Sequence, residues 1–161
     1  MSYMFKQKQS IYESLSNGCV NIKVCLSDAV AFHAHTFADN NPQPGDNIKF
    51  KTELFNVGNG YNLDTGAFTA PVSGVYIFTA HLCVQKGLNL DYIFVKDEET
   101  IITGDMYEND GYTCATASAV ILLQKNEKMA IRCRSNACGG YIKETTTDRN
   151  TLSGALINII H

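Results

Sequence analysis

The sequence predicts an all-β protein, a two-layer sandwich of about ten antiparallel strands. Short apolar or alternating segments recur about every 8 to 12 residues, which is the spacing of strands in such sandwiches. Gly, Asn, Asp and Pro clusters separate these segments, and no segment has the apolar spacing and capping residues of a helix. The 161 residues, 45% of them hydrophobic, are enough to bury one core, so a single domain is expected.

Turn residues set the limits of the first strands. Pro42-Gln43-Pro44-Gly45 ends the first strand before the second begins, and Gly58-Asn59-Gly60 separates the second from the third. Asp64-Thr65-Gly66 adds turn residues within the third segment. Pro71 and Gly74 bracket a turn into the fourth strand, whose period-2 pattern places Tyr76 and Phe78 on one face. The predicted strands lie at 30–37, 48–56, 61–69, 74–84, 89–96, 99–104, 113–124, 128–135 and 151–160.

Aromatic residues, an Asn and a Gly follow fixed intervals between positions 50 and 78. Phe50 is followed after five residues by Asn56, after four more by Tyr61, after six more by Phe68, and after five more by Gly74-Val75-Tyr76-Ile77-Phe78. This spacing resembles the C1q-domain signature. The segment 30–35 resembles the first strand of that family and 151–157 its last strand, so the resemblance covers about residues 29–160. Ala80 departs from the family, which usually has an aromatic residue there, and we interpret it as a repacked core position.

The resemblance implies a C1q/TNF-like jelly roll that assembles as a homotrimer. It also implies a secreted recognition protein without catalysis, similar to the stalkless C1q-domain proteins of bivalve molluscs. Residues 1–28 are expected to form an N-terminal arm without collagen repeats, and residues 29–161 the globular domain. No secretory signal is recognisable at the start, so we expect a mature or recombinant sequence from which it has been removed.

Charge and hydropathy exclude two classes of partner. There are 13 basic and 16 acidic residues, a formal charge of -3, and no run of Lys or Arg, which argues against nucleic-acid binding. The longest apolar run, near 117–123, is too short to span a bilayer, so membrane insertion is not expected. The standard catalytic motifs are absent from the sequence, and no enzyme is predicted.

Six cysteines allow fifteen pairings and lack zinc-finger spacing. Cys19 and Cys25 are close enough in sequence to cross-link the arm, whereas Cys133 and Cys138 flank a short turn. For Cys83 and Cys133 we favour buried free thiols, because both share strand faces with apolar residues.

The first candidate ligand-binding loop is 104–112. It combines carboxylates, an amide and two rings, a mixture that suits either a sugar or calcium. The resemblance makes calcium doubtful, because the position at which some family members place a calcium-binding Asp is Cys114 here. The candidate residues in this loop are Asp105, Tyr107, Glu108, Asn109 and Tyr112.

The second candidate loop is 139–150, immediately before the last strand. Arg149 could pair with the carboxylate of an acidic sugar such as sialic acid, while neighbouring hydroxyl and amide groups bind the sugar hydroxyls. Equally, the charged residues of this loop could form only surface ion pairs, and the alternating Arg132 and Arg134 are open to the same two interpretations. The candidate residues are Tyr141, Lys143, Thr145, Thr147, Asp148, Arg149 and Asn150.

These observations predict a lectin-like protein that binds microbial or cell-surface glycans, with multivalency from trimerisation. The alternative is a cytokine-like or extracellular-scaffold ligand whose protein receptor binds in grooves between subunits. His33 and His35 share one strand face and could hold a transition metal if a third ligand converged on them. A polar edge that is exposed or faces another subunit is the more common role of such a pair.

Overall fold

The computed structural model describes residues 29–39, 41–135, 138 and 149–160, which form ten strands and, within these ranges, no α-helix. None of the described residues belongs to a helix long and apolar enough to cross a membrane. The strands are β1 (Ala31–Phe37), β2 (Phe50–Val57), β3 (Tyr61–Asn62), β4 (Ala67–Thr69), β5 (Gly74–Gln85), β6 (Leu88–Lys96), β7 (Glu99–Glu108), β8 (Tyr112–Leu123), β9 (Lys128–Cys133) and β10 (Thr151–Ile159).

The strands form two antiparallel sheets of five strands each. The first sheet has the order β2-β1-β10-β5-β8, and the second has the order β3-β4-β9-β6-β7. Each sheet has an inner face that packs on the other sheet and an outer face that points away from the core. The predicted all-β jelly-roll sandwich is therefore confirmed, while the proposed arm at 1–28 lies outside the described residues.

The regularly spaced aromatic residues of the 50–78 segment, from Phe50 to Phe78, lie in the core between the sheets. Phe32 of β1 stacks on Tyr61 with ring centroids 4.6 Å apart and on Phe68 at 5.4 Å, and Phe68 contacts Phe78 edge-on at 5.2 Å. All four rings, together with Tyr76, are almost completely buried. The fixed spacing in the sequence thus places rings from both sheets in one cluster, where each contributes large apolar area and favourable ring geometry.

Asn56 explains why an amide follows Phe50 at a fixed distance. Its Nδ2 donates to the carbonyl oxygen of Tyr61 at 2.8 Å, and its Oδ1 accepts from the Tyr61 backbone N–H at 3.2 Å. One side chain therefore satisfies both backbone groups of the residue at the far side of the turn that joins β2 to β3.

A close approach of two rings requires glycine in the last strand. A Cβ atom built on Gly154 would overlap the rings of Phe32 and Phe78, which lie on the two neighbouring strands. The backbone of β10 therefore provides the space for these rings. Ala80 is fully buried, as expected for a repacked core position.

Two predicted elements differ from the structure. The segment 61–69 is two short strands instead of one, because Asp64-Thr65-Gly66 forms a turn in which the Thr65 N–H donates to Asn62 Oδ1. The strand predicted at 99–104 continues to Glu108, because residues 104–108 stay paired with β6. Most of the first candidate loop is therefore strand.

Cys83 and Cys133 are disulfide-bonded, so the expectation of free thiols was wrong. Cys83 pairs with Cys114 directly across β5 and β8, with Cα atoms 4.0 Å apart. Cys133 pairs with Cys138 across the short turn, with Cα atoms 5.8 Å apart. Strand alternation identified the faces on which the sulfurs lie, but it contained no information about the neighbouring strand.

Candidate functional site

The first candidate loop and residues 149–150, the described end of the second, lie toward the same end of the sandwich, which we call the loop end. Gln85 of β5 pairs with Tyr112 of β8, so the turns at 86–87 and 109–111 lie side by side. Thr151, which follows the second loop, pairs with His81 near this end of β5. Segments far apart in sequence are therefore neighbours at the loop end.

The first candidate loop divides between the two sheets. Asp105 and Tyr107 alternate with the buried Met106 and so lie on the outer face of β7. Tyr112 lies on the exposed face of β8, with Cys114. Because β7 and β8 belong to different sheets, the two rings do not share one sheet face.

Glu108 ends β7, and Asn109 begins the connection to β8. Glu108 Oε1 accepts the backbone N–H groups of Asp110 at 2.8 Å and of Gly111 at 3.2 Å. This carboxylate therefore stabilises the turn, whereas the Asn109 side chain is exposed. Three or more His, Cys, Asp or Glu side chains do not converge on these acids in the part of the chain that is described.

Only the end of the second candidate loop is described. Tyr141, Lys143, Thr145, Thr147 and Asp148 lie outside the described residues. Arg149 is exposed. Asn150 is fully buried, and its Oδ1 accepts the backbone N–H of Cys83 at 2.6 Å. The Asn150 side chain therefore attaches the end of the loop to β5 and does not face solvent.

An ion pair lies beside Asp105 and Tyr107 on the outer face of the second sheet. Arg134 Nε donates to Asp91 Oδ1 at 2.6 Å, and the Asp91 side chain is only 9% exposed. The hydrogen bond and the charge of Asp91, with a smaller contribution from Asp105, raise the pKa of Arg134 above its usual range. The sequence identified Arg134 as an exposed cation but could not identify this buried partner.

The sequence did not predict a polar groove of about 530 Å³ on the same outer face, toward the opposite end. Arg132 donates to Glu98 at 2.8 Å within it, and Asn47 Nδ2 donates to the Thr65 carbonyl at 2.9 Å. Arg132 and Arg134, the two alternating cations, are thus both paired. The polar residues lining the groove are Asn47, Asn62, Thr65, Thr69, Asp97, Glu98, Lys128 and Arg132.

The outer face of the first sheet is different in character. Strands β1, β5, β8 and β10 contain no Asp, Glu, Lys or Arg, although 18% of the chain is charged. One half of this face, the apolar half, exposes large apolar side chains around Ile77 and Val120. The other half, the polar half, is lined by His, Ser and Thr side chains, among them His81 and Thr116. The exposed apolar residues on this sheet include Phe55, Ile77, Val120, Leu122 and Ile157.

His33 and His35 lie in the polar half. Their ring centroids are 6.5 Å apart, and their Nδ1 atoms hydrogen-bond to the hydroxyls of Ser153 at 2.7 Å and Thr36 at 2.8 Å. Partial burial, and then the charge of His35, lower the pKa of His33. A third metal ligand does not converge on this pair among the described residues.

Comparison with known proteins identifies one family and several relatives. The C1q domain family model matches residues 31–157. Complement C1q tumor necrosis factor-related protein 3 of Mus musculus is 30% identical over 95 residues, which is 58% of this chain and 39% of the relative. The Heavy metal-binding protein HIP of Mytilus edulis is 30% identical over 77 residues, 47% of this chain and 36% of the relative. The matched segments thus span less than half of each relative.

The fold has close neighbours among solved structures. The globular domain of the zebrafish complement 1qA protein superposes with a TM-score of 0.63 at 20% identity. The superposition covers 82% of this chain and 99% of the zebrafish domain. The identity is too low to carry more than the fold.

Proposed function

Because the chain belongs to the C1q domain family, we propose that it is a secreted recognition protein that binds glycans on microbial or cell surfaces. The observation that supports the proposal is that the first candidate loop lies at the same end of a rigid sandwich as Arg149 and Asn150, the described end of the second loop. The proposal includes no catalytic step, since domains of this family act in recognition.

The chemistry of the loop end favours an acidic sugar. Arg149 is exposed and supplies a guanidinium that can bind a carboxylate through two hydrogen bonds. Tyr107 is 58% exposed and offers a ring face on which a sugar can stack, beside the acceptor oxygens of Asp105. The cation, the ring and the acceptors each match a chemical group of a carboxylated sugar.

We propose that the apolar half of the first sheet's outer face forms the contact between three copies of the chain. The strands β1, β10, β5 and β8 lie side by side without a charged residue and expose several large apolar side chains, a combination that is costly in water and typical of a surface buried on association. Three equivalent loop ends in one trimer would raise the apparent affinity for a glycan-coated surface, because the second and third contacts are intramolecular.

Binding to an immobilised sialylated glycan, with and without a chelator, tests the glycan proposal. We expect retention that is reversed by free sialic acid. Arg149→Ala should weaken binding about tenfold, since it removes a charge-assisted hydrogen-bonded contact. The matched control is Lys125→Ala, which removes an exposed cation at the opposite end of the sandwich.

The outcomes separate the alternatives. Retention that free sugar does not reverse would contradict the glycan proposal and favour a receptor ligand of the cytokine-like kind. Equal binding by Arg149→Ala and Lys125→Ala would exclude the second loop as the acidic-sugar site. Loss of binding in chelator would show that calcium is required, in spite of Cys114 at the position where some family members carry Asp.

A further inference from the structure

A histidine and two cysteines meet on the polar half of the first sheet's outer face. His81 and Cys83 are two residues apart on β5 and share one face, and Cys114 of β8 lies directly opposite Cys83. His81 Nε2 is 3.7 Å from Cys83 Sγ, and the three potential ligand atoms lie within 4.8 Å of one another. Three His, Cys, Asp or Glu side chains converge in this way nowhere else in the part of the chain that the structure describes.

The imidazole is held with one nitrogen directed at the sulfur. Thr116, the residue opposite His81, places its Oγ1 2.9 Å from His81 Nδ1. With Nδ1–H donating to this hydroxyl, Nε2 keeps its lone pair and faces Cys83. Metal-binding histidines have the same arrangement, in which a hydrogen bond from the second nitrogen fixes the tautomer and the ring orientation.

The spacing fits tetrahedral coordination by a thiophilic cation. With Zn–S about 2.3 Å and Zn–N about 2.0 Å, a tetrahedral site places the nitrogen and a sulfur about 3.5 Å apart. The observed separation between Nε2 and Cys83 Sγ is 3.7 Å. Two thiolates in such a site lie about 3.8 Å apart, a distance that side-chain rotation alone can provide on strands with Cα atoms 4.0 Å apart.

The disulfide can be reached from solvent. Cys83 is buried but Cys114 is exposed on the edge strand β8, so a reductant can attack its sulfur. The cluster is also distant from the apolar half of the face, since Val120 lies six residues further along β8, or about 20 Å away.

We propose that reduction of the Cys83–Cys114 disulfide creates a site for one zinc-like or cadmium-like cation, bound by both thiolates and by His81 Nε2. A phosphine or a dithiol supplies two electrons and is itself oxidised, the S–S bond breaks, and each sulfur takes a proton. The cation then displaces both thiol protons, and its fourth position faces solvent. The disulfide therefore determines whether the protein binds the metal.

The test is a cadmium titration of the full chain after reduction with a phosphine that is removed under anaerobic conditions. Thiolate-to-cadmium charge-transfer absorption in the ultraviolet reports binding. We expect the reduced wild type to bind one more Cd²⁺ per chain than reduced Cys83→Ser/Cys114→Ser, which corrects for the other cysteines. The oxidised wild type should lack this extra site and provides the reference if the double variant does not fold.

Two single variants separate a three-ligand site from a simple pair of thiols. His81→Ala should weaken the extra site at least tenfold, and Thr116→Val should weaken it severalfold by releasing the imidazole. His35→Ala, which removes another histidine from the same face, should leave the affinity unchanged. Equal cadmium stoichiometry in the reduced wild type, the oxidised protein and the double variant would overturn the proposal, as would unchanged affinity in His81→Ala.

Discussion

The outer faces of the two sheets differ in what they present to solvent. The four strands β1, β5, β8 and β10 of the first sheet carry no Asp, Glu, Lys or Arg, and Ile77 and Val120 are exposed there. The second sheet carries the Arg134–Asp91 and Arg132–Glu98 ion pairs and a polar groove. Both sheets bury equivalent inner faces, so core packing does not explain this difference.

The unequal distribution of charged residues indicates that the two outer faces have different environments in the assembled protein. Ion pairs between partly exposed groups contribute little to stability and are typical of a surface that stays in water. Exposed apolar side chains on four neighbouring strands without charged residues are instead typical of a surface that another protein covers. This difference is the reason why we propose the first sheet for assembly, and the loop end with the adjoining outer face of the second sheet for ligand contact.

The largest expected effect comes from placing a charge on the first sheet. Ile77→Asp should weaken trimer formation at least 100-fold, because each subunit would bury an unpaired carboxylate in the contact. The matched control is Ile101→Asp on β7 of the second sheet, since Ile77 and Ile101 are both 37% exposed. Analytical ultracentrifugation measures the assembly, and equal behaviour of the two variants would contradict the assignment of faces.

The second effect distinguishes the two exposed tyrosines at the loop end. Tyr107→Ala should weaken glycan binding about tenfold through loss of a stacking ring, while Tyr112→Ala should change it less than twofold. The two side chains are 58% and 60% exposed, so each variant removes a comparable surface from a different sheet. Isothermal titration calorimetry with a soluble sialylated glycan measures the affinity of both variants. A larger loss of affinity in Tyr112→Ala would indicate that the glycan binds beside the first sheet.

The third effect concerns the two ion pairs of the second sheet. Arg134→Ala should lower the melting temperature by roughly 5 °C, because Asp91 would remain almost buried without its cation. Arg132→Ala should lower it less, since the Glu98 side chain is 85% exposed and water can replace the arginine. Thermal unfolding followed by circular dichroism gives the melting temperatures of the two variants. A larger decrease in Arg132→Ala would show that the Arg132–Glu98 pair in the groove contributes more to stability than the Arg134–Asp91 pair.

The smallest expected effect is a difference in how the stability of the two sheets' outer faces depends on pH. The pKa of His33 is lower in the folded protein than the 6.5 of an unperturbed histidine. The His33 ring therefore binds a proton more readily in the unfolded chain than in the folded one, so the free energy of unfolding decreases as the pH falls below 6.5. Hydrogen bonds from Arg132 and Lys96 lower the pKa values of Glu98 and Glu127 from 4.5, so the contribution of these two carboxylates to stability is lost as the pH falls through 4.5 and below.

His33→Asn tests this difference. Between about pH 7.5 and 5.5 the variant should lose less melting temperature than the wild type, by about 2 °C or less because the ring is partly exposed. An equal decrease in both proteins would mean that His33 does not carry the effect. Below pH 4.5 the two proteins should again lose stability in parallel.

Much of the fold could be predicted because local signals and core packing agree in the 50–78 segment. The rings of Phe50, Tyr61, Phe68, Tyr76 and Phe78 all lie inside, where their spacing indicated. The exception is the segment 61–69, where turn residues outweighed the continuous strand pattern. Turn chemistry at Asp64-Thr65-Gly66 was visible in the sequence, but its strength relative to the flanking apolar residues was not.

The candidate site was less predictable, because it depends on which strands are neighbours. The exposure of Tyr107 and Arg149 follows from local pattern, whereas the burial of Asn150 depends on its hydrogen bond to Cys83, 67 residues away. The Cys83–Cys114 pair and the partners of Arg132 and Arg134 likewise come from cross-strand register. Such contacts leave no periodic signal in a single sequence.

The position of β10 has a consequence for biosynthesis. The strand β10 is the last of the described strands in chain order, yet it is the central strand of the first sheet, between β1 and β5. Until it is synthesised, the β1–β2 hairpin and the β5–β8 ladder cannot join, and the rings of Phe32 and Phe78 lack the backbone of Gly154 between them. The domain should therefore fold only after β10 has been synthesised, and truncation just before β10 should be as damaging as truncation early in the domain.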